Sequence, residues 1–314
     1  MAVIVSLNGC NSKGDLSLDP CPTRMLLSLL SAVAALQDRA IPNQYIVVFK
    51  DHVQPHQIAE HHLELQSLAT DAFSYLHHFS LPAFSGYAAR LPQDVLRALE
   101  SHPDVDFIEQ DKIVSLDAVL PHHPSQQVFT RAPLFQQDND SDSLDSENLQ
   151  KHAPSWGLPR ISSRDLPTSR DYEYPASQGT GVDVYIIDTG IFIGHPQFQG
   201  RATLGKSFTT DGNKDGNGHG THVAGTIGSL TYGVAKNVSL IAVKVLDAQG
   251  SGTTSGVLAG VEWAAKQVAA KKNIYRKSVA NLSLGGPASV ALDRAVKGAT
   301  NLGLVFAVAA GFIS

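Results

Sequence analysis

The sequence predicts an α/β fold, a parallel sheet flanked by helices, preceded by a small ferredoxin-like α+β sandwich, and three observations carry that expectation. Residues 45–114 alternate strand-like and helix-like pieces in the order β-α-β-β-α-β. Residues 182–310 set apolar strand runs between glycine-rich turns and helical stretches, the pattern of βαβ units. Between the two lies a polar, acidic, proline-bearing stretch. At 314 residues the chain has room for about two domains. Hydrophobic residues at 43% and charged residues at 17% describe a globular chain, neither disordered throughout nor a membrane bundle. A net charge of -5 offers no concentrated basic surface, so nucleic acid is not expected as a partner.

In the first unit, 41–115, Tyr45–Lys50 is a β-branched and aromatic strand, and Gln57–Thr70 carries Ile58, Leu65, Leu68 and Ala69 at helical spacing. Strands follow at Ala72–Phe79 and Phe84–Leu91. Pro92 then opens a helix whose buried side is expected to be Val95, Leu96 and Leu99, and Val105–Val114 closes the set. Residues 116–153 are expected to form a disordered linker, because the run Asp138-Asn-Asp-Ser-Asp-Ser-Leu-Asp-Ser-Glu147 cannot bury enough apolar surface to order itself. In the second unit, 154–314, the clearest strands are Val182–Ile187, Ser239–Val245, Val279–Leu284 and Leu302–Ala310. Helices are expected at His219–Ser229, Thr254–Ala270 and Ala291–Asn301.

Residues 1–40 read as a leader. Both cysteines, Cys10 and Cys21, fall in it, so residues 22–314 can form no disulfide among themselves. Arg24 and the apolar run Met25–Ala35, ending in small residues, have the form of a signal segment too short to span a bilayer. Entry to the secretory pathway is expected, without membrane attachment; the alternative is a buried or disordered N-terminal segment.

Two segments carry chemistry. Val182-Asp-Val-Tyr-Ile-Ile-Asp188-Thr-Gly190 ends an apolar strand in a carboxylate and a turn, at the carboxyl end of a strand, where ligands and catalytic groups gather in open α/β sheets. Alone, such an aspartate is a turn or cap residue more often than a catalytic one. Asp215-Gly-Asn-Gly-His219-Gly-Thr-His-Val-Ala-Gly-Thr226 delivers a histidine on a glycine-rich loop to the first turn of a helix. There the positive end of the helix dipole is expected to disfavour imidazolium and hold His219 neutral. Gly220, Ala224, Gly225 and Gly228 leave one side of the helix nearly bare, so a neighbouring backbone can approach. Two other readings are a packing helix with incidental histidines and a metal pair from His219 and His222; no third ligand segment accompanies that pair, and no metal site is expected.

Together these segments resemble the aspartate and histidine motifs of subtilisin-like serine endopeptidases, in order and spacing. Tyr232-Gly-Val-Ala-Lys236, Val243-Lys-Val-Leu-Asp-Ala-Gln-Gly-Ser-Gly252 and Asn281-Leu-Ser-Leu-Gly-Gly286 extend the likeness, which is closest to the proteinase K and fungal vacuolar branches and covers about the first half of a catalytic domain. The resemblance implies acyl transfer, with Asp188 and His219 as the orienting carboxylate and the base, on protein or peptide substrates of broad specificity. It implies that Ser251 and Gly252 on one side and Ser283, Leu284 and Gly285 on the other are backbone rails for an extended substrate. Residues 45–114 resemble the family's inhibitory propeptide, which implies a domain packed on the catalytic domain, with its tail in the cleft until cleaved, in a monomer. Val223 stands where proteinase K relatives often carry a cysteine, so their thiol sensitivity is not expected. No cofactor is expected; calcium is common in the family, but no calcium site can be assigned to these residues.

The family's nucleophile lies in a Gly-Thr-Ser-Met-Ala segment, which these 314 residues do not contain. Gly252-Thr-Thr-Ser-Gly256 is similar only superficially, and Phe312 follows Ala309-Ala310-Gly311 where the family places an oxyanion-binding asparagine. The chain as given is therefore expected to be inactive, with Leu302–Ala310 apolar on both faces and short of cover. A competing expectation is a non-catalytic inhibitor or folding chaperone acting in trans through residues 45–114. Nine of the thirteen histidines lie between His52 and His123, which suggests acid-triggered loosening of that domain, set against a merely solvated polar surface.

Overall fold

The computed structural model describes residues 39–68, 73–116, 148–271 and 277–309. The signal-like segment 25–35, the acidic run 138–147 and Phe312 lie outside them.

The first unit runs β1 (Ala40–Phe49), α1 (Pro55–Leu68), β2 (Ser74–Leu81), β3 (Phe84–Arg90), α2 (Gln93–Glu100) and β4 (Val105–Ser115), the order read from the sequence. Alternation along β1 explains its burial on both faces. Val47 and Phe49 point to one side and pack with Leu65 of α1 and Val95, Leu96 and Leu99 of α2. Ile46 and Val48 point to the other, in a cluster with Phe79, Leu81 and Phe84 of their own domain. They share a core with Val257, Leu258 and Val261 of α5 (Thr254–Ala269) and with Ala291, Ala295 and Ala299 of α6 (Val290–Asn301), both helices of the second unit. Burying each such aliphatic side chain contributes about 1.5–3 kcal/mol, so the two units stabilise each other.

The second unit opens with β5 (Leu149–Gln150), α3 (Gly157–Ser162) and β6 (Tyr172–Glu173). β7 (Asp183–Asp188), β8 (Ala202–Ser207), α4 (His219–Gly228), β9 (Ser239–Lys244), β10 (Ser251–Thr253), α5, β11 (Ser278–Leu282), α6 and β12 (Leu304–Val308) complete it. Its main sheet is parallel, in the order β12-β11-β7-β9-β8. From β7 the chain moves outward one way through β8 and β9, then returns through α5 to build β11 and β12 on the other side. The carboxyl end of β7 is thus the switch point of the sheet, where a crevice opens.

Several boundaries differ from those read off the sequence. The linker expected to reach residue 153 stops short, because Leu149 and Gln150 pair with Glu173 and Tyr172 and Ala153 is fully buried beside Leu158, Tyr172 and Tyr174. At its other end, Leu116 is hydrogen-bonded through its amide to Gly250 O, so order extends past 115. Strand β11 ends at Leu282 rather than 284, since residues 283–285 leave the sheet to meet β4. Strand β12 begins at Leu304, after Gly303 at φ +90° ends the α6 turn. It is the edge strand beside β11, with Val305 and Val308 exposed and Leu304 buried.

Candidate active site

Asp188 is the last residue of β7 and has no exposed surface. His219 is the first residue of α4, reached through Gly218 at φ +99°. Both Asp188 carboxylate oxygens lie 2.9 Å from His219 Nδ1. Gly220 makes this approach feasible, because a Cβ there would stand 2.1 Å from the carbonyl oxygen of Gly190. The imidazole is about one-third exposed, while its partner is sealed. Its pKa is raised above the ordinary imidazole value, first by the hydrogen bond with Asp188, then by the charges of Asp188 and Asp215, against burial. This corrects the expectation that the helix terminus holds His219 neutral, since the bonded carboxylate at 2.9 Å favours imidazolium. No group of three or more potential metal ligands occurs among the described residues, and His222 takes no part in one.

The Asp188 turn is held from below. Val245 N and Leu246 N donate to Asp188 O at 2.9 and 3.2 Å. Lys244, fully buried at the end of β9, donates from Nζ to Thr189 O at 3.0 Å and Leu246 O at 2.7 Å, with Asp211 Oδ2 at 3.3 Å. A buried ammonium with three oxygen partners is a satisfied one, and it fixes the turn that carries the carboxylate.

The crevice beside this pair is filled by the chain itself. The end of β4 runs antiparallel to β10, pairing Ile113, Val114 and Ser115 with Thr253, Gly252 and Ser251. On its other side Ser115 N donates to Gly285 O at 2.9 Å and Gly285 N donates to Ser115 O at 3.2 Å. Leu116 N reaches Gly250 O at 3.0 Å, and the Leu116 side chain lies against Gly250, whose neighbour in space is Asn217, two residues before His219. Val114 is buried between Gly252 and Gly286. Of the residues read as rails, Ser251, Gly252 and Gly285 therefore flank a bound extended strand. Leu284 turns its side chain into the core, and the Ser283 hydroxyl donates to Asn281.

Two carboxylates of β4 anchor this strand. Asp111, fully buried, accepts from Ser255 N at 3.0 Å, from the Ser255 hydroxyl and from Gln44 Nε2 at 2.7 Å. Glu109 accepts from Ala291 N at 3.2 Å. They meet the N-termini of α5 and α6, where free N–H groups and the helix dipole favour negative charge. Ser255, in the segment superficially like a nucleophile motif, thus gives its hydroxyl to Asp111.

Residues 179–313 match the subtilase family and residues 44–117 match the peptidase inhibitor I9 family. The chain thus carries a segment similar to subtilases, preceded by one similar to peptidase inhibitor I9 domains. A subtilisin-like protease of Coccidioides posadasii is 41% identical over 282 residues, covering 87% of this chain and 63% of that protein. The subtilisin-like serine protease Pen c 2 of Penicillium citrinum is 41% identical over 311 residues, covering 89% of this chain and 62% of that one. A solved cold-adapted subtilisin-like serine proteinase is 49% identical, with 49% of this chain and 55% of that chain covered and a TM-score of 0.45. The chain thus spans less than two-thirds of the length of those curated relatives.

Sequence reasoning missed Asp111, Glu109, Lys244, Thr189 and Asp215 as parts of this site. Asp215 carried a signal: an acidic residue a few positions before a helix start is a capping candidate. Asp111 and Glu109 carried none, since their partners in the second unit lie more than 140 positions away along the chain.

Proposed function

We propose that this chain is the precursor portion of a serine endopeptidase whose cleft is closed by its own inhibitor domain. The observation that carries this reading is the strand 113–116, flanked by β10 and Gly285 and leading toward Asn217 and the Asp188–His219 pair. An extended peptide held by main-chain bonds on both sides is how a sheet edge binds substrates of varied side chains, which fits broad specificity. In acyl transfer a serine hydroxyl attacks the peptide carbonyl, His219 Nε2 takes its proton, and Asp188 holds the imidazole in the required tautomer. The raised pKa of His219 suits a base that must carry the proton to a leaving amine.

This chemistry calls for no cofactor. The 314 residues contain no serine in the family's nucleophile segment, and loss of that group costs on the order of a millionfold in turnover. We therefore take this polypeptide by itself to be inactive, a monomer, and bound for a secreted or vacuolar compartment through residues 25–35. No helix among the described residues is long and apolar enough to cross a membrane. The same strand supports a second reading, inhibition of an intact relative in trans, since what closes one cleft can close another.

A peptide competition tests the occupied cleft. Val114→Asp sets a charge between Gly252 and Gly286 and should release the strand, so that a fluorescent Ile-Val-Ser-Leu peptide binds at least about tenfold more tightly than to wild type. Equal binding by the two proteins refutes the reading. Labelling of either by a fluorophosphonate probe refutes the inactivity.

A further inference from the structure

We propose that Asp215 is a positioning residue for the Asp188–His219 pair, acting through two threonine hydroxyls that stitch the Asp188 turn to the His219 helix in both directions. The inference rests on the acyl-transfer reading and deepens it.

The stitch is reciprocal. Thr189, next to Asp188, accepts a hydrogen bond from Gly220 N of the histidine helix at 2.9 Å and donates its own proton to Asp215 Oδ1 at 2.9 Å. Thr221, two residues after His219, accepts from Phe192 N, beyond the aspartate turn, at 2.8 Å and donates its proton to Asp215 Oδ2. Each hydroxyl therefore receives a backbone N–H from the opposite segment, and each is turned to do so by the same carboxylate. Asp215 also accepts from Gly218 N at 2.8 Å, Thr221 N at 3.0 Å and Asn217 N at 3.2 Å, which shapes the loop that delivers His219. All five contacts are made to donors, so only an acceptor at both oxygens satisfies them.

That pattern requires the ionised carboxylate. Burial would raise its pKa, yet hydrogen bonds from Thr221, Gly218 and Thr189 carry it below the usual carboxylate value. An amide at this place would turn an NH2 group toward one set of donors. With the threonines no longer held, Gly220 N and Phe192 N lose their fixed acceptors, and the spacing between Asp188 and His219 Nδ1 is no longer imposed from both sides. The Asp215 charge also adds to the field that favours imidazolium.

The test follows the His219 ring by 15N–1H NMR across pH in the full chain, comparing wild type with Asp215→Asn, Asp215→Glu, Thr189→Val and Thr189→Ser. We expect the His219 titration to fall toward that of a free imidazole in Asp215→Asn, with loss of the downfield Nδ1 proton, and to recover in part in Asp215→Glu. Thr189→Val, which leaves every charge in place, should lose the same proton resonance, while Thr189→Ser keeps it. Should Asp215→Asn fail to fold, the two Thr189 variants decide alone. A folded Asp215→Asn, or Thr189→Val, with an unchanged His219 titration and resonance overturns the proposal. A wild-type protein whose His219 shows no such proton overturns the acid–base reading itself, a distinct outcome.

Discussion

Asp111 lies with no solvent contact between two domains, yet its carboxylate is fully engaged by Ser255, Gln44 and Lys112 N. Removing it leaves the first turn of α5 and the buried Gln44 amide without their acceptor. Asp111→Ala should therefore destabilise the chain by about 2–4 kcal/mol, read as a lower urea midpoint. A midpoint equal to wild type would show that these bonds do not hold the domains together. Gly220 presents the opposite constraint, one of space. With a Cβ 2.1 Å from Gly190 O, backbone must move, and Gly220→Ala should cost about 1–3 kcal/mol and abolish the Asp188–His219 hydrogen bond. Circular dichroism melts and the His219 proton resonance check both halves of that expectation.

Among the elements, legibility followed period and length. β7 and β9 are apolar runs between glycine-rich turns, and α4 announces itself through the loop before His219, so the aspartate–histidine pair could be placed from sequence. β5 and β6 are two residues each, too short for any period to register, so nothing in the sequence sets residues 148–153 apart from the acidic stretch before them. β8 escaped because Ala202-Thr-Leu-Gly-Lys-Ser207 is an edge strand with Leu204 exposed and a glycine inside it. The rails at Ser251–Gly252 and Gly285 have no hydrophobic signature, since they act through backbone groups. Only the family resemblance marked them. The occupant of the cleft was likewise marked only by the resemblance to an inhibitory propeptide, since the last residues of β4 look like any strand end until β10 is seen beside them.

For the whole molecule, the histidine-rich inhibitor domain makes stability depend on pH. His61 is 3% exposed, its Nε2 3.1 Å from the Tyr87 hydroxyl and its Nδ1 without a hydrogen-bond partner among the described residues. Burial first, then His102 and His62, lower its pKa to about 4, with Asp104 opposing. Around it stand His62, bonded to the Tyr75 hydroxyl at 2.6 Å and facing His78, and His102, 3.7 Å from Glu64. Burial lowers the pKa of His62 and of His77 as well; at His77 Asp111 and Glu262 oppose the shift and Lys206 and His78 add to it. A base with a depressed folded-state pKa contributes full stability above its unfolded value, 6.5, and loses it as pH falls toward 4. His61 alone should remove about 2 kcal/mol between pH 7 and 5. Urea unfolding at the two pH values, for wild type and His61→Phe, measures this. The variant should show the flatter profile, and an identical slope would exclude the histidine as its source.

The central claim is that β4 lies in the peptide-binding cleft as a bound strand, and amide hydrogen exchange on the full chain reads it residue by residue. Ser115 and Leu116, each donating to a carbonyl of the second unit, should exchange as slowly as Val47 and Val48 in the core of β1. Exchange of those two amides at the rate of an unstructured peptide, while β1 stays protected, would show the cleft to be open and contradict the claim.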